Sequence, residues 1–140
     1  MAHVLIIDSD HRVAQAYAQV LQARRKDHVT IALGEAAGLA AIEQQRPDLV
    51  MLQFRAADFD GYGVLLKLRE GSSVPAMFYT LPASDLPAVT DSASDMLYLP
   101  AELDIQELLT ARDELVRRGL NQRLRSADYR HLSKPPSQAS

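Results

Sequence analysis

The polar residues best placed to do chemistry stand at the ends of short apolar runs. These run-end positions hold Asp8, Ser9, Asp10, Gln53, Thr80 and the apolar Leu99. Neighbouring carboxylates can hold a hard cation such as Mg²⁺, which prefers oxygen ligands and usually needs more than one carboxylate. Asp10 has a competing use, because an aspartate just before a helix caps the first turn. The capping role is favoured for Asp10, so an acidic site depends mainly on Asp8.

Other catalytic and ligand-binding patterns are missing from the sequence. The chain has no cysteine, which excludes disulfides, thiolate metal sites and cysteine nucleophiles. The four histidines, His3, His11, His28 and His131, do not have the spacing of metal ligands. There is no G-x-S-x-G motif and no glycine-rich phosphate loop. We therefore predict no catalytic residue, no metal site and no cofactor, and we expect that the protein is not an enzyme.

The apolar runs predict the elements that must position these residues. Five runs indicate strands, at residues 4–7, 28–33, 49–52, 74–79 and 96–99, and residues with helical spacing lie between most of them. Continuous apolar strands that alternate with helices are typical of a parallel sheet covered on both faces. The predicted fold is therefore α/β, a doubly wound five-stranded parallel sheet with its functional residues at the carboxyl edge.

The chain is predicted to divide into a domain over residues 1–120 and an extension over residues 121–140. The final helix is predicted from about Leu103, and the extension continues it into a flexible basic tail rich in Pro and Ser. Residues 81–94 permit at most a short or broken helix, because two prolines lie inside them.

Charge is distributed unevenly along the chain. Residues 1–116 hold 17 Asp and Glu against 9 Lys and Arg, whereas residues 117–140 hold 6 basic residues against one acidic residue. A basic end is compatible with an anionic partner, but it also suits cations that complement a helix terminus. The latter is favoured, so we expect no nucleic-acid binding by this domain itself. No apolar run is long enough to span a membrane and no signal peptide is evident, so we expect a cytoplasmic protein.

Several of these motifs resemble one known family, the receiver domains of response regulators, over roughly residues 3–120. The similar segments are the strand from Val4 to Asp10, the strand over residues 47–52, Asp60-Gly61, Thr80 and Leu99-Pro100. The separation of 45 residues between Asp8 and Gln53 also agrees with the family's pattern. The resemblance implies a flavodoxin-like sheet with strand order 2-1-3-4-5. It also implies two-component signalling, in which a histidine kinase transfers a phosphoryl group to an aspartate beside Mg²⁺.

The departures from the family's pattern change the expected function. Gln53 stands at the position of the phosphorylated aspartate, and a neutral amide cannot form an acyl phosphate. Ser9 replaces one of two acids that hold the metal, and Leu99 replaces a lysine. Only Asp8 and Thr80 remain from the reactive set. The resemblance is therefore to a degenerate receiver, or pseudo-receiver, that does not take part in ordinary phosphotransfer.

Two further features concern the old metal site and the output face. Arg55 follows Gln53 by two residues, and its guanidinium could lie among the carboxylates of Asp8, Asp10 and Asp58, or it could be a solvated loop residue. By the resemblance, Thr80 and an aromatic residue on the last strand act as switch positions. Met96 stands at the aromatic position, so the usual coupling is predicted to be absent.

The last helix offers a candidate interaction surface. Leu120 and Leu124 continue its apolar stripe beyond Gly119, past the usual end of a receiver helix. An exposed apolar ridge suggests a covering partner, which could be the same helix of a second copy. Alternatively, Gly119 ends the helix and Leu120 folds back onto the domain.

The leading hypothesis is an interaction module in signal transduction that acts independently of phosphorylation, through a protein partner or as a homodimer. One alternative is a sensor that binds a small molecule in the vacated acidic pocket. Another is the N-terminal regulatory domain of a longer transcriptional regulator.

Overall fold

This computed structural model describes residues 1–56, 58–81, 96–100 and 104–133, with the backbone alone for residues 80, 81, 96, 98, 100 and 125–133. The elements in chain order are β1 (His3–Asp8), α1 (His11–Arg25), β2 (His28–Leu33), α2 (Glu35–Gln44), β3 (Leu49–Gln53), β4 (Arg55–Ala56), β5 (Phe59–Asp60), α3 (Gly61–Gly71), β6 (Ala76–Leu81), β7 (Met96–Pro100) and α4 (Ile105–Ser133).

Five strands form one parallel sheet in the order β2-β1-β3-β6-β7. The register places Ile6 beside Met51 and Met51 beside Met77 across the centre of the sheet. The two short strands β4 and β5 pair separately as an antiparallel hairpin. Counting the five sheet strands alone gives the order 2-1-3-4-5, and the predicted doubly wound α/β fold is confirmed.

The core lies on both faces of the sheet, which explains why the strands are apolar throughout. Alternate residues of β1 point to opposite faces. Leu5 and Ile7 belong to a cluster with residues of α3, and partly buried residues of α2 pack against it. Val4 and Ile6 belong to a second cluster with residues of α1 and α4. The sheet is thereby covered on each side, and its carboxyl edge is left for the polar residues.

The observed elements differ from the predicted ones in three places. Strand β6 begins at Ala76 rather than at residue 74, since Pro75 lacks the N–H that a ladder needs. The polar loop after β3 contains the β4–β5 hairpin. The predicted broken helix over 81–94 falls almost entirely on residues 82–95, which lie outside the described residues, as does the tail 134–140.

The last helix does not end at Gly119 but continues to Ser133, into residues predicted as tail. Gly119 is buried, and a Cβ atom there would lie 2.8 Å from Cγ of Pro75. The glycine therefore permits a close approach of α4 to the start of β6, and it does not mark a helix end. This answers the question that the sequence left open about the residues after 119.

A buried ion pair fixes α4 to the amino edge of the sheet. Arg112 donates from Nε and Nη2 to the two carboxylate oxygens of Asp27, at 3.0 and 2.5 Å, and the Asp27 side chain is fully buried. The backbone N–H of Ala2 also donates to Asp27, and Asp113 accepts from both Arg112 and Arg25. These bonds fix α4 at the amino edge of the sheet, opposite the carboxyl edge where the polar residues lie.

None of the helices in the described ranges combines the length and the apolar character that crossing a membrane requires.

Candidate functional site

Asp8 ends β1 and is completely buried at the carboxyl edge of the sheet. Its Oδ1 accepts a hydrogen bond from the backbone N–H of Asp10 at 2.7 Å. Its Oδ2 accepts from the hydroxyl of Tyr79 at 2.5 Å. Both oxygens of the carboxylate therefore have partners inside the protein, which is what a buried charge requires.

Gln53 and Ser9 are bonded to each other beside Asp8. The backbone N–H and the hydroxyl of Ser9 both donate to Oε1 of Gln53, at 2.9 and 2.8 Å. These bonds join the end of β3 to the residue that follows β1. The side chain of Gln53 thus acts as an acceptor that ties two neighbouring strand ends together.

Asp10 is the N-cap of α1. Its backbone is extended, and its carboxylate accepts from the N–H of Arg12 at 2.9 Å. This is the capping geometry that the sequence favoured for this residue.

The start of α3 packs directly against the end of β3. The N–H of Gly61 donates to the carbonyl of Phe54 at 2.9 Å, and the N–H of Phe54 donates to the carbonyl of Tyr79 at 3.1 Å. A Cβ atom on Gly61 would lie 1.9 Å from the carbonyl oxygen of Gln53. Only glycine allows this approach, which accounts for the Asp60-Gly61 pair seen in the sequence.

Sequence reasoning missed Tyr79, whose hydroxyl is central to the site. Tyr79 lies in the apolar run of β6 and is fully buried, and the sequence pattern alone predicts for it only a place in a strand. Its ring lies 4.8 Å from the ring of Tyr17, between centroids. Burial, followed by the hydrogen bond to Asp8, raises the pKa of Tyr79 far above its usual range, so it remains a donor. The sequence feature that could indicate this role is a tyrosine within an apolar run, because the hydroxyl of a buried tyrosine needs a hydrogen-bond partner.

A second candidate surface lies on α4 beyond the sheet. Leu120 and Leu124 are 48% and 54% exposed, on a helix that continues nine residues past Leu124. Nearby arginines have partners within the chain: Arg117 and Arg118 bond Glu114, and Arg123 lies 3.6 Å from Asp48.

Comparison with known proteins identifies the type of domain. No protein-family model matches the chain. "Transcriptional regulatory protein AfsQ1" of Streptomyces coelicolor is 29% identical over 136 residues, which cover 94% of this chain and 59% of that protein. "DNA-binding response regulator MtrA" of Mycolicibacterium smegmatis is 32% identical over 101 residues, 72% of this chain and 41% of that protein.

A solved structure shows the same architecture. It is the N-terminal domain of a response regulator/sensory box/GGDEF 3-domain protein from Carboxydothermus hydrogenoformans. It matches with a TM-score of 0.70 at 23% identity, over 86% of this chain and 98% of that one. The chain has the receiver fold, and its sequence is similar to those of response regulators. The chain spans about three fifths of the first relative and two fifths of the second.

The receiver fold implies a Mg²⁺ site at Asp8, and the residues present do not fit one. Mg²⁺ requires nearly octahedral oxygen ligands and keeps several waters. Asp8 is fully buried with both oxygens bonded, and the Gln53 amide oxygen accepts two bonds from Ser9. Among the residues that the structure describes, no group of three acidic or histidine side chains could hold a metal ion.

The structure does not place Arg55 among the carboxylates. Its side chain is exposed, and its Cζ lies 5.0 Å from the centre of the Phe54 ring. Within the described part of the chain, no ion pair joins Arg55 to Asp8, Asp10 or Asp58. In the β4–β5 hairpin, Arg55 is paired with Asp60. The exposed side chain corresponds to the solvated alternative for Arg55.

The three predicted switch positions are placed on the last two strands. Thr80 lies in β6 and Met96 in β7, and both side chains lie outside the described residues. Leu99 is partly buried and packs against the core cluster that α1 and α4 share. An apolar side chain in that environment has no cation with which to meet a phosphoryl group.

A cavity of about 440 Å³ lies at the carboxyl edge of the sheet. Its lining includes Ser9, Glu35, Asp58, Asp60 and Lys67. Lys67 and Glu35 form an ion pair within this lining. Apolar walls would favour the sensor hypothesis, whereas this lining is mixed and combines four charged residues with Leu33 and Phe59.

Proposed function

We propose that this receiver domain works as an interaction module in signal transduction whose activity does not depend on phosphorylation. The observation that carries the proposal is the bonding of Gln53, which stands at the acceptor position. Its amide offers no carboxylate nucleophile, and its oxygen is occupied by two hydrogen bonds from Ser9. The domain is then not an enzyme and accepts no phosphoryl group.

We further propose that the partner is a second copy of the chain, bound through the ridge of Leu120 and Leu124. Both leucines are about half exposed on the part of α4 that continues past Gly119. The two leucines are one turn apart on the helix, so together they form a continuous apolar stripe. A two-fold axis would bury both stripes against each other.

Charge opposes this self-association only in part. Arg117 and Arg118 share the single carboxylate of Glu114 in the same helix, and Arg123 lies 3.6 Å from Asp48. The positive charge nearest the ridge is therefore reduced, but not cancelled, within each copy. These arginines would lie at the rim of the contact, where charged residues are usual.

Sedimentation of the wild type and of a ridge variant, Leu120→Glu with Leu124→Glu, tests the proposal. We expect a dimer for the wild type and a monomer for the ridge variant at micromolar concentration, because two buried carboxylates would face each other. The matched control is Asn121→Glu with Gln122→Glu, which adds the same charge at exposed polar positions and should remain dimeric.

The same measurement, repeated with acetyl phosphate and Mg²⁺, tests independence from phosphorylation. The dimer fraction should be unchanged. A wild type that sediments like the ridge variant would contradict self-association, and an increase on addition of the phosphodonor would contradict phosphorylation independence.

A second candidate function is the regulatory domain of a longer transcriptional regulator. It is favoured by the two curated relatives, which are a transcriptional regulatory protein and a DNA-binding response regulator, and by the chain covering only part of each. In that case α4 would link the receiver domain to an output domain. The reading frame that encodes the chain would test it, since a coding sequence that continues beyond Ser140 into a DNA-binding domain is required.

A further inference from the structure

We infer that the hydroxyl of Tyr79 has replaced the cation at Asp8, so that Asp8 is a structural residue and not a metal ligand held in reserve. The absence of a magnesium site would then have two separate causes. One is the loss of acids at Ser9 and Gln53, and the other is the capture of the remaining acid by Tyr79. The inference rests on the bonding of Asp8, and it can fail while the proposed function holds.

The geometry of Asp8 carries the inference. Tyr79 and Asp8 are both completely buried, and the hydroxyl lies 2.5 Å from Oδ2. The other oxygen accepts from the N–H of Asp10 at 2.7 Å. A hydrated Mg²⁺ ion that reached this fully buried carboxylate would compete with these donors for its oxygens. Tyr79 is the side-chain donor of the two, so its hydroxyl is the one that a substitution can remove.

The position of Tyr79 is fixed by the sheet and by α1. Its carbonyl accepts from the N–H of Phe54, and its Cα is in register with Gln53 on β3. Its ring is packed 4.8 Å from the ring of Tyr17 on α1. These contacts hold the hydroxyl at Asp8 whatever side chains stand at positions 9 and 53.

The carboxylate in turn depends on the hydroxyl. A buried charge without a partner is strongly unfavourable, and a hydrogen bond to the charged form offsets part of that cost. In a receiver domain that binds a cation at this aspartate, the cation compensates the buried charge, so a hydroxyl donor is not needed. The Asp8–Tyr79 bond therefore explains why an acid persists at position 8 when the acids around it have been lost.

Calorimetric titration with Mg²⁺ of two reconstructed variants tests the inference. The first variant is Ser9→Asp with Gln53→Asp, and the second adds Tyr79→Phe, which removes only the hydroxyl. We expect the second variant to bind Mg²⁺ about tenfold or more tightly than the first, the factor expected when a hydrogen bond that competes for a charged group is lost.

The matched control adds Tyr17→Phe instead of Tyr79→Phe. Tyr17 adjoins the same ring but is not the donor to Asp8, so its substitution should leave the Mg²⁺ affinity of the first variant unchanged. Equal affinities with and without the Tyr79 hydroxyl would overturn the inference. So would an equal gain from Tyr17→Phe, since the effect would then come from looser packing.

Single substitutions provide a test that does not require the reconstructed variants to fold. In a metal-free acidic site, Asp8→Asn should raise the melting temperature by relieving repulsion. In this protein, Asp8→Asn should lower the melting temperature. The decrease should be smaller when Asp8→Asn is made in the Tyr79→Phe variant than in the wild type, because the two side chains act as a pair. A rise on Asp8→Asn, or equal losses in both backgrounds, would contradict a structural role for Asp8.

Discussion

Replacing Arg112 with methionine should destabilise the domain strongly, because it leaves a buried charge without its partner. The Asp27 side chain is fully buried and that of Arg112 is 9% exposed, so little water is available to either group. Breaking a buried pair from one side costs about 3–5 kcal/mol. With a urea dependence of about 2 kcal/mol/M, the unfolding midpoint should fall by about 2 M.

Equilibrium unfolding in urea, followed by circular dichroism, would measure this change. The matched control is Arg117→Met, in which the same substitution on the same helix removes an exposed pair with Glu114. It should leave the midpoint nearly unchanged. Adding Asp27→Asn to Arg112→Met should recover most of the loss, since no charge then remains buried. A loss for Arg112→Met no larger than that of the control would refute the argument that α4 is anchored by this pair.

Two other predictions concern the site and the dependence on pH. Gly61→Ala should cost about 3 kcal/mol or more in unfolding free energy, because the new methyl group would overlap a carbonyl oxygen of the preceding strand. Gly71→Ala, at the open end of the same helix, should be nearly neutral, and the two are compared by thermal unfolding. Asp113→Asn should cost less than about 1 kcal/mol at pH 7, because the carboxylate that pairs with Arg25 and Arg112 is itself nearly half exposed. The hydrogen bond from Arg25 lowers the pKa of Asp113, so this contribution is present above the carboxyl's ordinary pKa of about 4 and is lost as pH falls through the lowered value. An Asp113→Asn difference that persists in acid would refute the assignment.

The strands and their order could be predicted because burial on both faces leaves a simple trace in the sequence. The runs at Val4 and Leu49 are apolar without alternation, and their ends place Asp8 and Gln53 on one edge. The Asp60-Gly61 pair marks a close approach that only glycine permits. These signals are local, so a single sequence is enough to detect them.

The remaining features depend on contacts between residues distant in the chain. Tyr79 is 71 residues from the carboxylate that it bonds, and nothing near it in sequence indicates a polar role. Gly119 looks like a helix end until Pro75 is placed beside it. The sequence leaves two alternatives for Arg55, because the hairpin in which it lies has only two residues in each strand. Tertiary packing decides each of these cases, and local propensity does not.

Intact-mass spectrometry after incubation with acetyl phosphate and Mg²⁺ tests most directly whether the domain signals without accepting a phosphoryl group. A receiver domain that retains the acceptor aspartate is treated in parallel. This chain should keep its mass, while the comparison domain gains one phosphoryl group. A gain of one phosphoryl group by this chain, labile to hydroxylamine as an acyl phosphate is, would contradict phosphorylation-independent signalling.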